Sequence, residues 1–101
     1  MIQVIVERHC NPGKERALEG LLSDLSAKGM RQPGYISGET LVRADDPSFY
    51  LTIGTWTRIE VWKAWEDSQE RLELTQLMAS LLTDEPKALI CVPLSWEDAG
   101  I

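Results

Sequence analysis

The residues best able to do chemistry in this chain are few. His9 is the sole histidine and the one side chain whose ordinary pKa lies near neutrality, which makes it the first candidate for a general base. Glu7 precedes it by two residues, so an extended backbone puts both on the same face. Trp62 and Trp65 are three residues apart in a segment of helical character, which makes their indoles neighbours on one helical face. An indole presents a flat apolar surface, keeps one N–H donor and loses little rotamer entropy on ordering. Such a pair suits a core anchor or the wall of a pocket for a flat ligand. Tyr50 and Tyr35 offer phenolic hydroxyls and equally suit strand packing. Arg8, Arg43 and Arg58 are able to hold an anionic oxygen, although surface ion pairing is the commoner use of such residues. The candidate site is therefore His9 and Trp65 as catalytic residues, with Glu7, Tyr50 and Trp62 binding substrate.

Other chemistries find little support. One histidine without a strained nucleophile turn does not make a Ser-His-Asp or Cys-His centre. There is no GxGxxG and no phosphate-cradling glycine run, so no nucleotide or flavin loop is expected. Asp45 and Asp46 read as solvated turn carboxylates rather than metal ligands. No cofactor and no metal are expected.

The hydrophobic pattern supplies the elements that must carry these residues. Met1 to His9 reads as a strand with Ile2, Val4 and Val6 on one face and Ile5 on the other. Asn11-Pro12 is expected to open a helix, Asn11 as its cap and Pro12 at the first helical position. Leu18, Leu21, Leu22 and Leu25 form its apolar stripe, and Gly29 is its stop. Gln32-Pro33-Gly34 is a turn. Strands follow over Tyr35 to Arg43 and Phe49 to Trp56, separated by a polar connection over 44–48. Thr57 and Glu60 are spaced as a capping box for a short helix over 58–66. A second helical run restarts near Ser68 with Leu74, Leu77, Met78 and Leu81. Lys87 to Trp96 is the last strand. The order β-α-β-β-α-(α)-β predicts a single α+β domain over 1–96, a ferredoxin-like split βαβ unit with one antiparallel sheet, and a mobile tail over 97–101.

The chain has 101 residues, a net charge of −6 and a pI near 4.7. That balance disfavours nucleic acid and anionic membrane as partners. No apolar run approaches the ~18 residues of a membrane span, and no leader pattern follows Met1. Cys10 and Cys91 lack CxxC spacing, so reduced thiols and a cytoplasmic location are expected. The strands carry apolar residues on both faces, whereas helices cover only one. Large side chains left in water cost ~1.5–3 kcal/mol each relative to burial. A second copy is therefore expected against the open face, and two such sheets close into a dimeric α+β barrel.

Ile2–Val6 with Glu7-Arg8, Pro12-Gly13-Lys14-Glu15, Gln32-Pro33-Gly34-Tyr35 and Trp56…Trp62-Lys63-Ala64-Trp65…Ser68 resemble the antibiotic biosynthesis monooxygenase (ABM) domain over about residues 1–95. The resemblance implies a dimeric α+β barrel and a scaffold shared by several chemistries. Among them are cofactor-free oxygenases of anthrones and quinols, haem-degrading enzymes and an isomerase. In the haem-degrading branch, Trp65 matches the helical tryptophan. Glu7 stands where that branch has asparagine and Thr75 where it has the iron-ligating histidine, so haem degradation is not implied. The resemblance implies a monooxygenase acting without cofactor on a flat phenolic, quinol or polyketide-like small aromatic molecule. The competing expectation is a non-catalytic dimeric module that binds a small ligand or serves a pathway by association.

Overall fold

The computed structural model describes residues 1–95. Its elements are β1 (Ile2–His9), α1 (Glu15–Gly29), β2 (Tyr35–Arg43), β3 (Asp46–Trp56), α2 (Ile59–Glu66), α3 (Gln69–Ala79) and β4 (Lys87–Cys91). The strands form one sheet in the order β2-β3-β1-β4, with every neighbouring pair antiparallel. The three helices stand against one face, completing the ferredoxin-like α+β unit expected from the sequence.

Alternation along β1 decides what the helices cover. Ile2, Val4, Val6, Arg8 and Cys10 are buried, while the intervening positions face the other side. Register carries that parity across the sheet: Val4 pairs with Gly54, Val6 with Thr52 and Arg8 with Tyr50. The helices complete this core with Leu18, Leu22 and Leu25 of α1, Trp62 and Trp65 of α2, and Leu74 and Met78 of α3. Leu77, which the sequence groups with the apolar stripe of α3, is exposed.

Four local expectations are corrected. α1 starts at Glu15, not at Pro12. Asn11 is drawn elsewhere: its side-chain amide donates to the Leu82 carbonyl at 3.2 Å, and Gly13 at φ +84° turns the chain before the helix. The Thr57–Glu60 capping box does not form; the cap position is Arg58, without a side-chain hydrogen bond. Asp46 to Ser48 belong to β3, because Arg43 pairs directly with Asp46. β4 ends at Cys91, ahead of Pro93, which has no N–H to give a ladder. Trp96 and the expected tail over 97–101 lie outside the described residues. The turn at Gln32-Pro33-Gly34 does form: Tyr35 N–H donates to the Gln32 carbonyl at 3.2 Å, and Gly34 takes φ +84°, the value a type II turn requires.

Candidate functional site

Between the inner face of the sheet and the helices lies a partly open cavity of about 70 Å³. Four aromatic residues, Tyr35, Trp56, Trp62 and Trp65, contribute to its walls beside aliphatic side chains. Trp56 at the end of β3 meets Tyr35 edge-on at 5.4 Å and Trp62 at 5.7 Å between ring centres. Trp65 closes another side, its indole lying where a Cβ on Gly29 would be 3.6 Å away. Gly38 and Gly54 flank the cavity on the sheet. Small residues there matter, since a Cβ on Gly38 would sit 2.8 Å from the Tyr35 hydroxyl and one on Gly54 would sit 3.0 Å from Trp56 Nε1.

Two arginines enter this apolar setting. Arg8 is 2% exposed, and its Nη1 donates to Thr52 Oγ1 at 3.3 Å. Arg71 of α3 lies over the Trp62 ring, with its guanidinium carbon 5.0 Å from the ring centre, a cation–π contact. Both line the cavity. Burial pulls the Arg8 pKa down to about 10, and the neighbouring positive charge of Arg71 adds to the effect. Burial also lowers Arg71, partly opposed by Glu66 and Asp67. Arg8 Nε, Arg71 Nε and Trp62 Nε1 are buried and have no hydrogen-bond partner among the described residues. A buried donor left unpaired costs about 1–3 kcal/mol. Three of them around one cavity constitute its strongest chemical feature.

The sequence candidates separate into two groups. Trp62 and Trp65 line the cavity as their spacing allows. Glu7 and His9 occupy the other parity of β1 and stand on the sheet's outer face. His9 packs edge-on against Phe49 at 4.6 Å between ring centres and has Nδ1 3.7 Å from Asp84 Oδ1. Tyr50 is buried on the inner face, but its hydroxyl donates to Glu19 Oε2 at 2.6 Å in a separate groove between α1 and β2. Burial first, and that carboxylate second, push its pKa up. Arg43 pairs with Asp45 at 2.7 Å on the surface, and Arg58 approaches Glu60 at 3.6 Å. Arg8 departs from the surface role expected for it. Among the described residues, no group of three or more His, Cys, Asp or Glu side chains gathers as metal ligands.

Arg8 and Arg71 were open to detection in the sequence. Arg8 shares the parity of Ile2, Val4, Val6 and Cys10, and Arg71 precedes Leu74 and Met78 by three and seven residues. Both are charged residues at positions that periodicity assigns to the core.

Residues 1–77 match the family described as antibiotic biosynthesis monooxygenase. A comparison with curated proteins gives no match. Among solved structures, a Nitrosomonas europaea protein described as a candidate antibiotic biosynthesis monooxygenase is 20% identical, covers 93% of this chain and 99% of its own, and superposes with a TM-score of 0.85. Rv0793 from Mycobacterium tuberculosis is 19% identical over 92% of this chain and 94% of its own, with a TM-score of 0.84. SnoaB, a cofactor-independent oxygenase from Streptomyces nogalater, solved as a mutant, is 19% identical over 92% and 93%, with a TM-score of 0.80. These structural likenesses are likenesses of fold.

Proposed function

The chain belongs to the antibiotic biosynthesis monooxygenase family, and from that premise and the chemistry of its cavity we propose that it is a cofactor-independent monooxygenase of a small, flat phenolic or quinol substrate. The observation that carries this reading is the indole-walled cavity with three unclaimed buried donors. A phenol converted to its para-quinone supplies all the electrons itself. The substrate gives up its phenolic proton, and the phenolate passes one electron to dioxygen. The resulting radicals join at the para ring carbon as a peroxide. The peroxide anion takes back one proton from solvent and loses water with the hydrogen of that ring carbon, which leaves the second oxygen atom on the ring, so phenol plus dioxygen becomes quinone plus water.

The protein's part is to favour the anion and exclude solvent. Two guanidiniums in a poorly hydrated site stabilise a phenolate far better than water-exposed ones would. Glu39 borders the cavity but belongs to the register that faces outward, opposite Ile53. With no acid or base on the inner wall among the described residues, the substrate's proton leaves to solvent as the anion binds. On this reading Trp62 and Trp65 form part of the wall against the ring, and Glu7 and His9 take no part within the protomer's own cavity. That lack of an inner base also favours a second reading, a non-catalytic module that holds the same kind of ligand.

The outer face bears Ile5, Phe49, Leu51, Ile53 and Leu89, with Leu89 well exposed. A second copy packed there completes the dimeric α+β barrel and shields these side chains.

Oxygen-electrode assays with single-ring phenols, menadiol and anthrone test the reaction. The expected result is uptake above the spontaneous rate, reduced at least about tenfold in Trp65→Phe and Arg71→Met, in line with loss of one transition-state contact. Uptake equal to the spontaneous rate across the whole panel overturns the oxygenase reading.

A further inference from the structure

We propose that this cavity selects ligands bearing a fixed negative charge, a carboxylate on a single aromatic ring, which accepts hydrogen bonds from Arg8, Arg71 and the Trp62 indole. The inference rests on the same cavity as the proposed reaction but does not depend on oxygen chemistry.

Charge balance is the first support. The chain as a whole carries −6, yet this cavity is bordered by two guanidiniums, and among the described residues its one carboxylate, Glu39, belongs to the outward register. Buried charges are ordinarily paired. Among the described residues Arg8 has the Thr52 hydroxyl as its one side-chain hydrogen-bond partner, and the charge that bears on it is the like charge of Arg71. An anion placed between them supplies the counter-charge that the described residues do not place there. It accepts from donors already desolvated, so little further desolvation of the protein is needed.

The type of anion follows from protonation. A simple phenol, with an ordinary pKa near ~10, reaches neutral solution uncharged and must be ionised on binding. A carboxylate is ionised throughout the physiological range, and its planar pair of oxygens matches guanidinium donors. Size gives the remaining restriction. An apolar cavity of ~150 Å³ admits benzene, about twice the 70 Å³ found here. The cavity therefore takes the carboxylate and part of one ring, with the rest of that ring towards the open side. A tricyclic ligand needs the indoles to move apart.

Calorimetric titration at neutral pH with 4-hydroxybenzoate and with its uncharged isostere 4-hydroxybenzamide tests the selection. The carboxylate is expected to bind about 10- to 100-fold more tightly, the range that hydrogen bonds to charged groups supply. Arg8→Met and Arg71→Met should each remove most of that preference while leaving the amide's affinity within about threefold; circular dichroism checks that both variants fold. Arg8→Lys, which keeps a charge at the position, should retain part of the preference. Equal affinity for the two compounds overturns the inference. So does a carboxylate preference that survives both methionine substitutions, or an absence of binding by either compound at millimolar concentration. Carboxylate preference without oxygen uptake leaves the anion site standing and removes the oxygenase reading. Uptake with neutral phenols, and no carboxylate preference, does the reverse.

Discussion

Replacing Arg8 by methionine should make the protein more stable. A guanidinium ordinarily holds its proton to above pH ~12, whereas Arg8 releases it at about 10 because burial disfavours the charge and Arg71 repels it. At about 1.4 kcal/mol for each tenfold, that gap corresponds to about 3 kcal/mol of destabilisation at neutral pH. The sign follows from proton counting. Below pH 10 both folded and unfolded chains carry the charge and the full penalty applies. Between 10 and the unfolded value the unfolded chain binds more protons, so this residue's penalty fades as the pH rises. Methionine fills a similar volume without charge and forfeits the Thr52 hydrogen bond, worth about 1 kcal/mol. The net expectation is about 2 kcal/mol of added stability. With a urea dependence of ~1–3 kcal/mol per molar, the unfolding midpoint should rise by about 1 M at fixed protomer concentration. A fall of the midpoint by a similar amount would refute the reasoning and show that Arg8 is held by structural interactions.

Further outcomes follow from other residues. Gly34→Ala should cost about 2–4 kcal/mol, measured by the same denaturation, because φ is +84° and the added Cβ would lie 2.5 Å from Val61 Cγ2; Gly20→Ala, in a helix with open space at the Cβ, should be neutral or stabilising by up to ~1 kcal/mol. Benzoate affinity should stay level through neutral pH and decline above about pH 10 as Arg8 loses its charge; an affinity that is unchanged between about pH 7 and about pH 11 would contradict a charged Arg8 contact. Leu51→Lys with Ile53→Lys should give a folded monomer in sedimentation at micromolar concentration where the parent protein is a dimer, and a parent that sediments as a single subunit removes the barrel proposal.

Much of the fold could be read from period-two and helical periodicity, because burial of apolar side chains dictates both. β1 alternates cleanly, the α1 stripe of Leu18, Leu22 and Leu25 is buried, and Ser68 caps α3 by accepting from Arg71 N–H at 3.3 Å. What failed was local chemistry overridden by distant contacts. The Asn11 side chain bonds across to Leu82, and the Thr57 N–H, which Glu60 would accept from in a capping box, already donates to the Gly34 carbonyl at 2.8 Å, while the cap position falls one residue later at Arg58. The site was half legible. Indole spacing identified Trp62 and Trp65, which line the cavity. His9 and Glu7 drew attention by their titration chemistry, yet alternation alone puts them on the outer face. Arg8 is among the arginines the sequence offers for an anionic oxygen, with surface pairing as the expected role, and Arg71 carries no such signal because arginine is usually a surface residue; their places in the apolar pattern point inward.

The indole N–H resonances of Trp62 give the most direct view of whether the cavity receives an anion. In a proton–nitrogen NMR titration with 4-hydroxybenzoate, with the signal assigned by Trp62→Phe, the unpartnered Trp62 Nε1 proton should move downfield in step with occupancy as it donates to the ligand. Saturable shifts confined to surface residues, with the Trp62 signal unmoved, would contradict ligand binding between these helices and strands.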